Sequence, residues 1–112
     1  GVDVGGPFAP YRQMERLEKM AHVTITMVSD SISAYVNKDV ELAKAVIARD
    51  DEVDALFDEM KNELIDIIHQ NAAVGESALD LLMVAKYFER IGDHATNIAE
   101  WVEFSITGRH KS

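Results

Sequence analysis

From residue 11 onward, apolar side chains recur at spacings of three and four in three successive blocks. The first block holds Met14, Leu17, Ala21, Ile25, Val28, Ile32 and Tyr35, which together make one face of a helix. It predicts a helix over residues 11–36, with that stripe as its buried side. Asn37-Lys38-Asp39 interrupts the pattern, and Asp39 is a good N-cap for a second helix. The second block occupies positions 43, 46, 50, 53, 57, 60, 64 and 67, alternating threes and fours like a heptad seam. It predicts a helix over residues 40–70. Ala43, Val46, Val53, Phe57, Met60, Leu64 and Ile67 fill the seam, and Asp50 alone breaks it. Asp54, one turn later, borders the same stripe. Residues 71–75 read as a short turn, a third helix is predicted over 76–106, and Gly108 stands where a C-terminal cap is expected.

Three long helices joined by short turns predict an all-α fold, an antiparallel up-down-up three-helix bundle over residues 11–112. The composition agrees. Both prolines and three of the six glycines fall within residues 1–10, GVDVGGPFAP, and no proline follows Pro10. That opening reads as a flexible leader, a linker or an expression remnant. At 112 residues there is room for one modest core. No apolar run approaches the roughly 18 residues of a membrane span, so membrane insertion is not expected. The absence of cysteine excludes disulfides, thiolate metal sites and a cysteine nucleophile.

Charge narrows the function further. A net charge of −9 disfavours nucleic acid, whose phosphates would be repelled; the one small basic group is Arg109, His110 and Lys111. No glycine-rich phosphate loop is present. Ser29, Ser31 and Ser33 have no base at a convincing spacing, so no nucleophile is indicated.

The acidic residues carry more information where they meet small ones. In ERIGDHATNIAE, residues 89–100, Glu89 and Asp93 run beside Gly92, Ala95 and Ala99. On a wheel of about 100° per residue, Ala85, Gly92 and Ala99 share one line, and Glu89 and Asp93 flank it. Small residues admit a neighbouring helix backbone closely, and a carboxylate beside such a contact loses solvent. The second helix mirrors this, with Asp50 in its seam, Asp54 beside it and Asp58 continuing the line outward. If these faces pack together, four carboxylates confront one another. They must then protonate, pair with a basic side chain such as Arg90 or Lys61, or coordinate a cation. Hard oxygen ligands of this kind suit iron, manganese, magnesium or calcium. Against this, carboxylates at i, i+4 on an acidic helix are most often a solvated face.

At ERIGDHATNIAEWVEF, residues 89–104, the chain resembles the PhoU family of bacterial phosphate-signalling regulators. That family carries a Glu/Asp-x-x-x-Asp motif on two helices of each three-helix repeat. Glu89-Arg-Ile-Gly-Asp93 is similar to one copy and is followed by Asn97-Ile-Ala-Glu100; Asp50-Asp-Glu-Val-Asp54, within RDDEVDALFDEM, is similar to the other. NKDVELAKAVIARD resembles the family's approach to that helix. The resemblance covers roughly residues 11–108. It implies a three-helix bundle and a multinuclear site at Asp50, Asp54, Glu89 and Asp93. Asp58, His94, Asn97 and Glu100 would be further ligands or their neighbours, and the metal would be iron, zinc, manganese, magnesium or calcium. It also implies a cytoplasmic negative regulator of phosphate uptake and of the starvation response. Such a regulator contacts a phosphate-specific ABC transporter and a sensor histidine kinase, and a homodimer is a further expected partner. Family members typically have two tandem repeats and this chain has room for one, so it reads as the C-terminal half.

Two other functions compete with this non-enzymatic one. A di-metal carboxylate enzyme would need inward Glu-x-x-His pairs, and the chain offers only Asp66 with His69. A purely structural bundle would oligomerise and leave its acidic lines solvated. His22 lies four residues after Glu18 without forming a recognised site, and Trp101 and Phe104 read as core or interface residues.

Overall fold

The computed structural model describes residues 11–108; the leader over 1–10 and the basic trio Arg109, His110 and Lys111 lie outside the described residues. Helix α1 spans Tyr11–Asn37, α2 Val40–Gln70 and α3 Gly75–Thr107, with a single 3-10 turn at Ala72–Val74 before α3. The predicted boundaries hold to within one residue because short-range chemistry sets them. The Asp39 carboxylate accepts the Leu42 N–H at 3.1 Å and caps α2. Just before it, Lys38 turns the chain with a φ of 55°. The Asn71 side chain accepts the Ala73 N–H at 3.1 Å, while its own backbone N–H donates to Ile67. Gly108 closes α3 in the left-handed conformation, φ 68°, donating to the Phe104 carbonyl at 2.8 Å.

Side-chain pairs fix the topology. Arg16 of α1 meets Glu63 of α2 at 2.7 Å, and Asp30 of α1 meets Arg49 of α2 at 2.8 Å, so the two helices run in opposite directions. Arg16 also reaches Glu59, and the buried Gln13 amide donates to Glu63 at 3.2 Å. The result is the expected all-α up-down-up bundle, about 55 Å long.

The core of α2 follows its predicted seam: Ala43, Val46, Val53, Met60 and Leu64 are buried, joined by Leu56. On α3 the small line is buried too, as Ala78, Ala85, Gly92 and Ala99 at seven-residue intervals, with Ala95 and Val102 beside it. Long side chains from α1 and α2, notably Met20, Met27 and Met60, fill the space these small residues leave.

Helix α1 departs from its prediction. Its buried line is Gln13, Leu17, Met20, Thr24, Met27, Ser31 and Ala34, rotated by about one residue, or 100°, from the predicted stripe. Met14, Ile25, Ile32 and Tyr35 lie exposed instead, and Ala21 and Val28 are half-buried. Two polar members of the true inner line, Thr24 and Ser31, pack as small residues because their hydroxyls are satisfied locally. Thr24 donates to the Met20 carbonyl and Ser31 to that of Val28, each at 2.8 Å. Trp101 and Phe104 are likewise not core; their rings lie 6.0 Å apart on the exposed side of α3.

Candidate metal centre

The carboxylates meet where α2 and α3 run side by side. Val53 of α2 and Thr24 of α1 lie beneath Gly92: a Cβ added there would stand 3.5 Å from the threonine methyl and 3.7 Å from the valine. Those are ordinary contacts, so the helices approach to the distance an alanine also allows. The neighbouring line of α3 then brings Asp93 against Asp50 and Asp54. One carboxylate oxygen from each of Asp50, Asp54 and Asp93 lies within 4.8 Å of the other two. Asp50 and Asp54 are half-buried, whereas Asp93 is exposed at the mouth.

Glu89, one turn before Asp93, borders the group rather than joining that trio. Its side chain is half-buried and bonds the Lys86 ammonium at 2.7 Å, and the ammonium also stands 5.2 Å from the centre of the Phe57 ring. Of the cations that sequence suggested as neutralisers, Lys61 pairs instead with Asp58, and Arg90 makes no ion pair among the described residues. Lys86 was not foreseen, although its position three residues before Glu89 is a recognisable helical pairing.

The remaining candidates lie elsewhere. Asp58 is exposed with Lys61 as its partner, and Glu100 is exposed about two turns beyond Asp93. His94 is exposed, and Asn97 lines an apolar groove between α1 and α3. Asp66 and His69 are exposed about 24 Å and about 28 Å along α2 from Asp50, so the imperfect di-iron-like pair does not reach the cluster.

Among the described residues, no ion pair balances the charge of the trio. Burial pushes the Asp50 carboxyl above the ordinary carboxylate range, and the charge of Asp93 adds to this, while the Thr96 side chain opposes it. Asp54 is pushed up to about 6, first by burial, then by Asp50, then by a hydrogen bond to the Glu89 carboxyl. Among the described residues no Arg or Lys forms an ion pair with Asp50, Asp54 or Asp93. Asp50 Oδ1 is buried without a hydrogen-bond partner. A buried acceptor left in this way is costly, and a positive charge at the trio would relieve both problems at once. Oxygens bound to one cation at about 2.0–2.6 Å lie up to roughly twice that distance apart, which the 4.8 Å grouping meets. The donor set is all oxygen, so the residues fit a hard cation.

The PhoU domain profile matches residues 17–102. The chain belongs to the PhoU family. It is 35% identical over 96 residues to a phosphate-specific transport system accessory protein PhoU homolog of Clostridium acetobutylicum, covering 86% of this chain and 44% of that protein. It is 38% identical over 92 residues to a protein of the same description from Caulobacter vibrioides, covering 82% and 40%. With PhoU homolog 1 of Thermotoga maritima it shares 30% over 100 residues, covering 89% and 43%. This PhoU-family chain therefore spans less than half the length of the relatives it matches. The matched stretch contains Asp50, Asp54, Glu89 and Asp93. No helix among the described residues is long and apolar enough to cross a membrane.

Proposed function

We propose that this PhoU-family domain is a non-enzymatic, cytoplasmic regulatory module of phosphate uptake and of phosphate-starvation signalling. The observation that carries the reading is a trio of carboxylates, without an Arg or Lys ion pair among the described residues, inside a domain whose relatives are accessory proteins of phosphate-specific transport. Asp50, Asp54 and Asp93 hold a divalent or ferric ion, and Glu89 supports it from the rim through its pair with Lys86. The cation supplies positive charge that clamps α2 to α3. The domain then works by presenting a rigid surface to its partners, the phosphate-specific ABC transporter and the associated sensor histidine kinase.

The test of the regulatory reading is direct capture. Immobilised chain, purified without chelator, is expected to retain the transporter's ATP-binding subunit or the cytoplasmic part of the kinase from purified components. Failure to retain either one, with the domain folded and metal-loaded, would overturn the partner assignment.

A further inference from the structure

Of the four carboxylates expected to converge, Glu89 alone stands apart from the trio, and its partners show what holds it there. The Glu89 side chain is only 16% exposed, yet one of its oxygens meets the Lys86 ammonium at 2.7 Å. Its carboxyl also shares a hydrogen bond with that of Asp54. Lys86 precedes Glu89 by three residues, an order that helices favour less than acid before base. Two other pairs of the same spacing have the favoured order, Glu41 with Lys44 and Asp58 with Lys61. Both are loose, at 3.9 and 4.0 Å, on side chains far more open to solvent than Glu89. Spacing along α3 therefore does not by itself draw Lys86 onto Glu89. Helix α2 contributes the rest: the ammonium stands 5.2 Å from the centre of the Phe57 ring, and Phe57 is packed against the core. An exposed lysine is thus fixed at two points, a ring on α2 and a carboxylate on α3.

We infer that Lys86 is a positioning residue for the carboxylate site: it keeps Glu89 on the rim, limits the ligands to Asp50, Asp54 and Asp93, and so weakens the hold on a cation. The inference rests on the reading of that trio as a cation site. Two effects act in the same direction. A carboxylate already paired with an ammonium offers less negative charge to a second cation, and affinity for hard cations rises with the number of charged oxygen ligands. The ammonium itself also repels a cation held among the neighbouring carboxylates. Both effects vanish when position 86 carries a neutral side chain. Lys86 thereby sets the cation level at which the site fills, and a site held in check exchanges its cation as a regulatory module needs to.

Manganese titration of the 112-residue chain, stripped with EDTA and dialysed, tests the inference through the electron paramagnetic resonance of the free ion. Lys86→Met removes the charge and keeps a good helix former whose stem still covers the Phe57 ring. It is expected to lower the Kd for manganese by roughly tenfold or more, the scale on which groups behind metal ligands act. Lys86→Gln, a second neutral variant, is expected to do the same, and Lys86→Arg, which keeps the charge, to bind as the wild type does. Adding Glu89→Gln to Lys86→Met should remove the gain. Arg90→Met serves as the control, since it removes an equal charge beside Glu89 from a side chain without an ion pair among the described residues. It should shift the Kd by less than about threefold. Circular dichroism in EDTA checks that every variant stays helical. A wild type that binds manganese, with neutral variants at position 86 that bind no tighter than Arg90→Met, would overturn this inference alone. So would a gain that survives Glu89→Gln. A wild type that takes up no manganese at millimolar concentration would overturn the cation site itself, and this inference with it.

Discussion

Helix α3 faces two very different neighbours. Toward α2 it presents alanines and a glycine, flanked by Glu89 and Asp93, and it meets a helix rich in carboxylates. Along its other flank, beside α1, it presents Ile91, Ile98 and Trp101 to open solvent. The first side is closed and electrostatically uncompensated; the second is open and electrically neutral. Each lacks something the described chain does not supply, a positive charge in one case and apolar cover in the other. Packing and solvation, then, need not be completed by the same partner.

Substitutions separate the two sides most clearly on α1, where the inner and outer lines are separated by a single residue step. Met27→Ala, inside, is expected to destabilise by about 2–4 kcal/mol. Ile25→Ala, outside, should change stability by no more than about 0.5 kcal/mol when urea denaturation is run dilute enough to keep the chain monomeric. Equal losses would put Ile25 in the core and erase the distinction.

On the closed side, manganese at a hundred times its dissociation constant should raise the unfolding free energy by about 2.7 kcal/mol. Asp54→Asn with Asp93→Asn should abolish that gain, read by thermal melts with and without EDTA. Smaller, and specific to the metal-free protein, is a dependence on pH. The folded pKa of Asp54 lies at about 6, above the ordinary 3.8 of an aspartate, and that of Asp50 is raised as well. The folded state therefore binds protons more readily than the unfolded chain between these values. Stability is fully present below the unfolded pKa and is lost as pH rises through about 6. Lowering pH from 7 to 5 should stabilise the metal-free domain by about 1 kcal/mol after allowance for solvent screening, and Asp54→Asn should flatten the profile. An effect of similar size concerns Gly92. Its added methyl meets only ordinary contacts, so Gly92→Ala should stabilise α3 by up to about 1 kcal/mol in helix propensity, measured by chemical denaturation.

The parts of this structure that are local were legible in the sequence. Asp39, Asn71 and Gly108 mark helix ends because each makes a bond within a few residues of itself. The seam of α2 was legible because one face alone is apolar, and Asp50 stood out because it interrupts that face. The inner side of α1 was not, since Thr24 and Ser31 look polar until their hydroxyls turn back to the helix carbonyls. Hydropathy therefore favoured the isoleucine-rich outer line, and a helix with two apolar sides gives no local sign of which one a third helix will cover. Within the cluster, spacing raised the meeting of Asp50, Asp54, Glu89 and Asp93 as one of two readings and the family resemblance favoured it; the grouping of Asp50, Asp54 and Asp93, and the placement of Lys86 on Glu89 and Phe57, depend on the register between helices.

The central claim is that a cation completes the carboxylate seam, and elemental analysis of the purified protein tests it most directly. Chain grown in iron- and manganese-replete medium and purified without chelator should carry divalent or ferric ion in stoichiometric amount. Asp54→Ala with Asp93→Ala, purified in parallel and still helical, should carry none. Metal-free wild type under those conditions, or equal metal in both proteins, would contradict the account.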